Sequence, residues 1–93
     1  MTREDARTIL TSMTDSAALL RHMRTIELVM EAYAEKFGED KETWAIAGLL
    51  HDADYEKFPE QHPDIIVQKL KDLGEPAIAH AIDRKSTRLN SSH

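Results

Sequence analysis

An apolar run from Trp44 to Leu50 that ends at once in His51 and Asp52 constrains the fold more than any other feature of the chain. The run has no polar stripe, and a surface helix would show one, so it predicts a helix that is buried on all sides. A chain of 93 residues forms at most one small domain with a modest core. The other helices are therefore expected to be organised around this one.

The polar end of the run is a candidate metal site. His51 and Asp52 lie where the last carbonyl groups of the helix point outward, and the partial negative charge there favours a cation. A neutral imidazole and a carboxylate are common ligands of divalent metals. The dipeptide is also typical of a helix-capping histidine beside a solvated aspartate, and taken alone it favours that interpretation over a metal site.

The composition restricts which metal ligands and which kinds of partner are compatible with the chain. The chain has no cysteine, so any metal has to be held by histidine, carboxylate and water. It has no signal peptide and no apolar run near the roughly 20 residues of a membrane span, which predicts a cytoplasmic protein without a membrane partner. The net charge of −5 and the few aromatic residues argue against binding to a nucleic-acid polymer.

Apolar periodicity and capping residues predict an all-α chain of about five helices. The predicted helices cover approximately residues 2–13, 17–37, 39–50, 64–73 and 76–82. Residues 53–63 contain two prolines and are predicted to form a loop or an irregular turn.

The second helix has the strongest periodic signal. Its predicted inward face is Leu19, Met23, Ile26, Met30, Tyr33 and Phe37, followed by Gly38 as the left-handed residue that ends the helix. The opposite face is predicted to be charged and solvated, with Glu27, Glu31, Glu35 and Lys36. In the fourth helix, the predicted inward residues are Ile66, Leu70 and Leu73.

His22 follows the edge of this apolar face, where a histidine is either a hydrogen-bonded structural residue or a ligand. Gly48, within the buried helix, costs about 1 kcal/mol relative to alanine, which close packing against the helix of His22 would offset. Packed helix axes lie about 8–10 Å apart, so His22 and His51 can approach each other across the contact.

The loop after Asp52 contributes further candidates. Asp54, Lys57 and His62 can all reach back toward a metal at His51 and Asp52. Lys57 is also consistent with an ordinary solvated lysine, and His62 with a cap of the helix that starts near Pro63.

This arrangement of His22, the His51-Asp52 doublet and a later His62 resembles the HD-domain superfamily of metal-dependent phosphohydrolases. The phrase AGLLHDADYEKFPEQHP at residues 47–63 is similar to a subgroup of small predicted hydrolases. The resemblance covers residues 1–82 and implies an HD-domain-like helical bundle.

The resemblance also implies a ligand set. In such proteins the first histidine, the doublet and a later aspartate bind one divalent metal, which assigns His22, His51 and Asp52 here. Extra histidines hold a second metal in some members, with the doublet aspartate bridging, and His62 is the candidate for that role. The cofactor implied is a divalent ion such as Mn, Mg, Fe, Co, Ni or Zn.

Two departures from the family pattern matter. Many members continue the doublet with Ile-Gly-Lys, whereas Ala53-Asp54-Tyr55 follows here, so Lys57 is only a proposed substitute for the phosphate-binding lysine. The later aspartate is expected on a helix downstream of this chain, which predicts that residues 1–82 are the N-terminal part of a truncated domain.

Residues 83–93 differ abruptly from the acidic helix before them. This basic, polar tail can be read as the in-frame translation of a common high-throughput sequencing adapter, and we interpret it as a non-native, disordered or adventitious segment. Asp83 belongs to it and is not the expected metal ligand.

The leading functional hypothesis is a metal-dependent phosphohydrolase acting on a small phosphomonoester or nucleotide. Asp54 or a nearby carboxylate is predicted to handle protons, and Lys57 to steady phosphate. The chain itself is predicted to have little or no activity without the closing aspartate. The alternatives are a non-catalytic helical module that binds a nucleotide or a partner, and a di-iron oxygenase of the same superfamily. Exposed apolar faces predict possible homo-oligomerisation.

Overall fold

The computed structural model describes the backbone of residues 1–91 and the side chains of residues 1–83. Within that part the chain is all-α, as predicted, and has no strand. Its five helices are α1 (Arg3–Met13), α2 (Ala17–Phe37), α3 (Lys41–Leu50), α4 (Asp64–Asp72) and α5 (Pro76–Ser91). None of the helices in the described part is long and apolar enough to cross a membrane.

Helix α3 is the central element of the bundle. It packs against α1, α2 and α5, while α4 packs against α5. Every residue from Ala45 to Leu50 is buried, which confirms that the apolar run has no solvated face. The end of α3, and therefore the His51-Asp52 doublet, is held from several sides.

Capping residues set the helix boundaries near the predicted positions. Thr2 and Asp5 form a reciprocal capping box at the start of α1. Ser16 accepts a hydrogen bond from the Leu19 N–H at the start of α2. Gly38, at a φ of 70°, ends α2 in the left-handed conformation that the sequence predicts for it.

The close approach predicted at Gly48 is present. A β-carbon built on Gly48 would lie 2.7 Å from Met30 Cγ and 3.0 Å from the Ile26 carbonyl oxygen. Both contacts are with α2, so only a glycine lets α2 and α3 pack this closely. The contact brings the helix of His22 alongside the helix that ends in His51.

The prediction for the inward face of α2 is partly wrong. The buried residues of α2 are Met23, Glu27, Met30 and Ala34. Tyr33 and Phe37 are 47 % and 60 % exposed, and their rings stack on each other with centroids 6.1 Å apart. The buried face is therefore rotated toward Glu27 and away from the two aromatic residues.

Glu27 is fully buried, so its predicted place on a solvated face is wrong. Its carboxylate lies 3.0 Å from Arg24 Nη1, 3.3 Å from Arg3 Nη1 and 3.5 Å from Arg7 Nη2. Three guanidinium groups thus offset the cost of removing this carboxylate from water. Because Arg3 and Arg7 belong to α1, Glu27 also ties α1 to α2.

The last two helices agree with the sequence in part. Ile66 and Leu70 of α4 are buried as predicted, and so is Val67. The prediction for Leu73 is wrong, since this residue lies one position beyond the end of α4 and is 53 % exposed. Helix α5 starts at Pro76, as predicted, and its backbone continues through Ser91. Most side chains of residues 83–93 lie outside the described residues. The adapter origin of this segment therefore stays a prediction.

Candidate metal centre

Four polar side chains from three segments meet at the C-terminal end of α3. His22 comes from the first half of α2, and His51 and Asp52 follow directly from α3. His62 lies just before α4, at the end of the loop that leaves Asp52. The structure thus brings together all the histidines and the aspartate that the sequence suggested as metal ligands.

The Asp52 carboxylate lies at the centre of the cluster. Its Oδ2 atom is 3.1 Å from His51 Nε2 and 3.8 Å from His22 Nε2. Its Oδ1 atom is 3.2 Å from His62 Nε2. One oxygen of the carboxylate therefore faces two imidazoles, and the other oxygen faces the third.

Three of these four side chains meet the distance requirement for a metal ion. One ligand atom from each of His22, His51 and Asp52 lies within 4.8 Å of the others. Nitrogen and oxygen ligands bind divalent ions at about 2.0–2.2 Å, which places neighbouring ligands roughly 3–3.5 Å apart. Small side-chain movements would close these groups around one ion.

The His51 ring is oriented by the backbone of its own helix. Its Nδ1 atom lies 2.7 Å from the Gly48 carbonyl oxygen, within a buried environment. A carbonyl only accepts, so Nδ1 carries the proton of the neutral ring and Nε2 presents its lone pair toward Asp52. Gly48 thus has two roles, close packing against α2 and the orientation of His51.

The His62 ring is oriented in the same way by a carboxylate. Its Nδ1 atom lies 2.6 Å from Asp54 Oδ1, which leaves Nε2 directed at Asp52. A neutral imidazole nitrogen without a proton and a carboxylate oxygen are both acceptors, and they repel unless a proton or a cation lies between them. The donor set of the cluster therefore fits a divalent cation, which attracts both kinds of atom.

The electrostatic surroundings keep Asp52 ionised. Burial by itself raises the pKa of the Asp52 carboxyl. While the three imidazoles are protonated, however, the hydrogen bond from His51 and the positive charges of the rings outweigh burial, and the pKa lies below its ordinary value. Because folding lowers this pKa, the interaction stabilises the fold above the carboxyl's ordinary pKa. That contribution is lost as the pH falls through the lowered value.

The cluster is open to solvent on one side. The His51 side chain is 5 % exposed and Asp52 is 23 % exposed, whereas His22 is 52 % exposed. A water molecule or a small ligand can therefore reach the cluster past His22, while the side at His51 is closed by the core.

The two residues predicted to be catalytic lie in different environments. Asp54 is fully buried, with its carboxylate on His62 Nδ1 and on the Ile66 N–H. The exposed Lys57 places its Nζ atom 3.5 Å from the Ser12 carbonyl oxygen at the end of α1. The catalytic roles of Asp54 and Lys57 stay predictions.

Sequence reasoning missed two contacts of His62. The first is its pairing with Asp54, for which the only signal was an acidic residue eight positions earlier in the same loop. The second is the ring of Tyr55, which meets His62 edge to face with centroids 5.8 Å apart. The alternative that His62 caps α4 is not what this geometry shows, because Asp54 takes the Ile66 N–H of the first turn.

Comparison with known protein families gives a match to the HD domain over residues 19–92. This span is most of the chain and includes all four side chains of the cluster. The chain therefore belongs to the HD-domain family, as its resemblance implied. No curated protein and no solved structure matches the chain.

Proposed function

We propose that this chain supplies the metal-binding part of a metal-dependent phosphohydrolase that acts on a small phosphomonoester or nucleotide. The observation that carries the proposal is the Asp52 carboxylate, which lies within 3.1–3.8 Å of three imidazole Nε2 atoms at a partly open surface. Membership of the HD-domain family supports it.

We expect two neighbouring cation positions, one at each oxygen of this carboxylate. His22, His51 and Asp52 Oδ2 would hold the first, and His62 with Asp52 Oδ1 would contribute to the second. Histidine and carboxylate ligands without thiolate are compatible with Mn, Mg, Fe, Co, Ni or Zn. When bound, a divalent ion supplies a water molecule of lowered pKa and neutralises charge on the phosphoryl oxygens.

The chain's own residues position these groups and admit the substrate. His51 is locked by the Gly48 carbonyl, and the half-exposed His22 borders the open side where a phosphate would approach. Lys57 is the candidate phosphate contact, which requires its exposed ammonium group to leave the Ser12 carbonyl. Three protein ligands hold a first ion weakly, so we expect full activity only with the closing aspartate of a longer protein.

Hydrolysis by that longer protein tests the proposal. We would read the source gene past the codon for Ile82, express the product, load it with Mn²⁺ and assay p-nitrophenyl phosphate and a panel of nucleotides. We expect turnover in the wild type and a loss of more than about 100-fold in Asp52→Asn, which removes a ligand charge from both cation positions. Asp64→Asn, an exposed residue in the first turn of α4, is the matched control and should retain activity.

Three results would contradict the proposal. The first is a folded, metal-loaded protein that is inactive across the panel. The second is turnover that survives Asp52→Asn. The third is bound iron with oxygen consumption in place of ester hydrolysis, which would favour the oxygenase. A non-catalytic module would instead bind its ligand equally well as the wild type and as Asp52→Asn.

A further inference from the structure

Asp54 is a fully buried carboxylate two residues beyond Asp52, and both of its oxygens are engaged. Oδ1 lies 2.6 Å from His62 Nδ1, and Oδ2 accepts a hydrogen bond of 3.0 Å from the Ile66 N–H. A buried carboxylate is stable only with such partners. Its position therefore depends on both the His62 ring and the start of α4.

The burial of Asp54 argues against direct action on a substrate. Its exposed fraction is 0 %, whereas the neighbouring Asp52 retains contact with solvent. A proton donor or acceptor for a substrate has to come within hydrogen-bond reach of it. Asp54 reaches the cluster only through His62.

Two carboxylates compete for the single proton of the neutral His62 ring. The contact of Nδ1 with Asp54 is 2.6 Å, and the contact of Nε2 with Asp52 is 3.2 Å. The shorter, more buried contact is the stronger one, so the proton belongs on Nδ1. The Nε2 lone pair then faces Asp52 Oδ1.

The contact of Asp54 with the Ile66 N–H fixes the position of the carboxylate that holds the His62 ring. Ile66 lies in the first turn of α4, and its side chain is fully buried in the core. The Ile66 N–H is a helix-terminal donor that has no partner within α4, and Asp54 satisfies it. Because α4 is anchored in the core, its contact with Asp54 fixes that carboxylate, and the carboxylate in turn fixes the His62 ring.

From this geometry we propose that Asp54 is a positioning residue, which holds His62 in the Nδ1–H tautomer so that Nε2 serves the second cation position. The inference rests on the proposed function for the existence of that cation. It gives Asp54 a different role from the proton handling that the sequence suggested. The role resembles that of the outer carboxylates that orient metal-binding histidines in general.

The first test is the tautomer of His62 in the metal-free protein. We would record nitrogen chemical shifts of the histidine rings in alkaline solution, where imidazole side chains are neutral, and assign His62 by its loss in His62→Ala. We expect the wild type to carry the proton on Nδ1. An Nε2–H tautomer in the wild type would overturn the proposal, and this result does not require a variant of Asp54 to fold.

The second test is Asp54→Asn, with Asp64→Asn as the control for an equal loss of charge next to α4. An asparagine amide can donate to Nδ1, so we expect a shift toward the Nε2–H tautomer in Asp54→Asn only. In a Mn²⁺ titration the second ion should bind about 10–100-fold more weakly, with the first ion little changed. Wild-type affinity for the second ion in a folded Asp54→Asn protein would overturn the proposal.

The two readouts separate this inference from the proposed function. The tautomer is measured without metal and reports on the Asp54–His62 pair alone. If His62 has the Nδ1–H tautomer but the wild type binds no ion, the proposed function is wrong, and so is the proposed role of His62 Nε2 as a metal ligand. If ions bind but His62 has the other tautomer, only the role of Asp54 is wrong.

Discussion

Gly48→Ala is expected to destabilise the fold by about 1–3 kcal/mol, although alanine is the better helix former by about 1 kcal/mol. The added β-carbon would lie 2.7 Å from Met30 Cγ and 3.0 Å from the Ile26 carbonyl oxygen. The second neighbour is backbone and cannot rotate away, so α2 and α3 have to separate. Urea denaturation of both proteins measures the change in the free energy of unfolding.

Two further variants isolate the steric cause. Ala32→Gly, at an exposed site in the interior of α2, measures the intrinsic difference between alanine and glycine in this protein. Met30→Ala removes the nearest clashing atom, so the double variant Met30→Ala/Gly48→Ala should be more stable than the sum of the single changes predicts. A stabilised Gly48→Ala protein would show that α2 and α3 do not pack at the described distance.

Glu27→Gln is expected to lower the free energy of unfolding by about 1–3 kcal/mol. The change preserves the shape of a fully buried side chain but removes the charge that faces three arginines. Loss of one partner from a buried pair commonly costs about 3–5 kcal/mol, and the effect is smaller here because Arg7 and Arg24 are half-exposed and regain water. Urea denaturation again provides the measurement.

Glu31→Gln is the matched control for Glu27. Glu31 is on the same helix and lies 2.7 Å from Arg3, but its side chain is 35 % exposed. Both side chains of this ion pair are in contact with water. Such an ion pair contributes roughly 0–1 kcal/mol, and salt reduces the contribution further. Equal losses in Glu27→Gln and Glu31→Gln would contradict the structural role that we assign to burial.

Local patterns predicted the helices because helices depend on near neighbours in the chain, whereas the resemblance to the HD-domain superfamily implied the ligand set of the cluster. The apolar run placed α3 in the centre, and Gly38 ended α2 where expected. The His51-Asp52 doublet follows this helix directly in the sequence, so its place at the end of α3 was also predictable. These features follow from helix geometry and capping, which a single sequence displays.

What the sequence could not predict depends on partners distant in the chain. Glu27 looks like a surface residue until Arg3 and Arg7 of α1 are placed beside it, and its burial rotates α2 so that Tyr33 and Phe37 face outward. The burial of Asp54 is a second feature that the sequence could not predict. Its acidic side chain looked available for proton transfer, whereas the fold buries it between His62 and the start of α4.

The central claim is that the cluster around Asp52 binds divalent metal, and a Co²⁺ titration of this chain monitored by visible absorption tests it most directly. We expect weak but saturable binding in the wild type, with affinity reduced more than about 10-fold in Asp52→Asn and unchanged in Asp64→Asn. The absence of saturable binding in the folded wild type, or equal affinity in Asp52→Asn, would contradict the account.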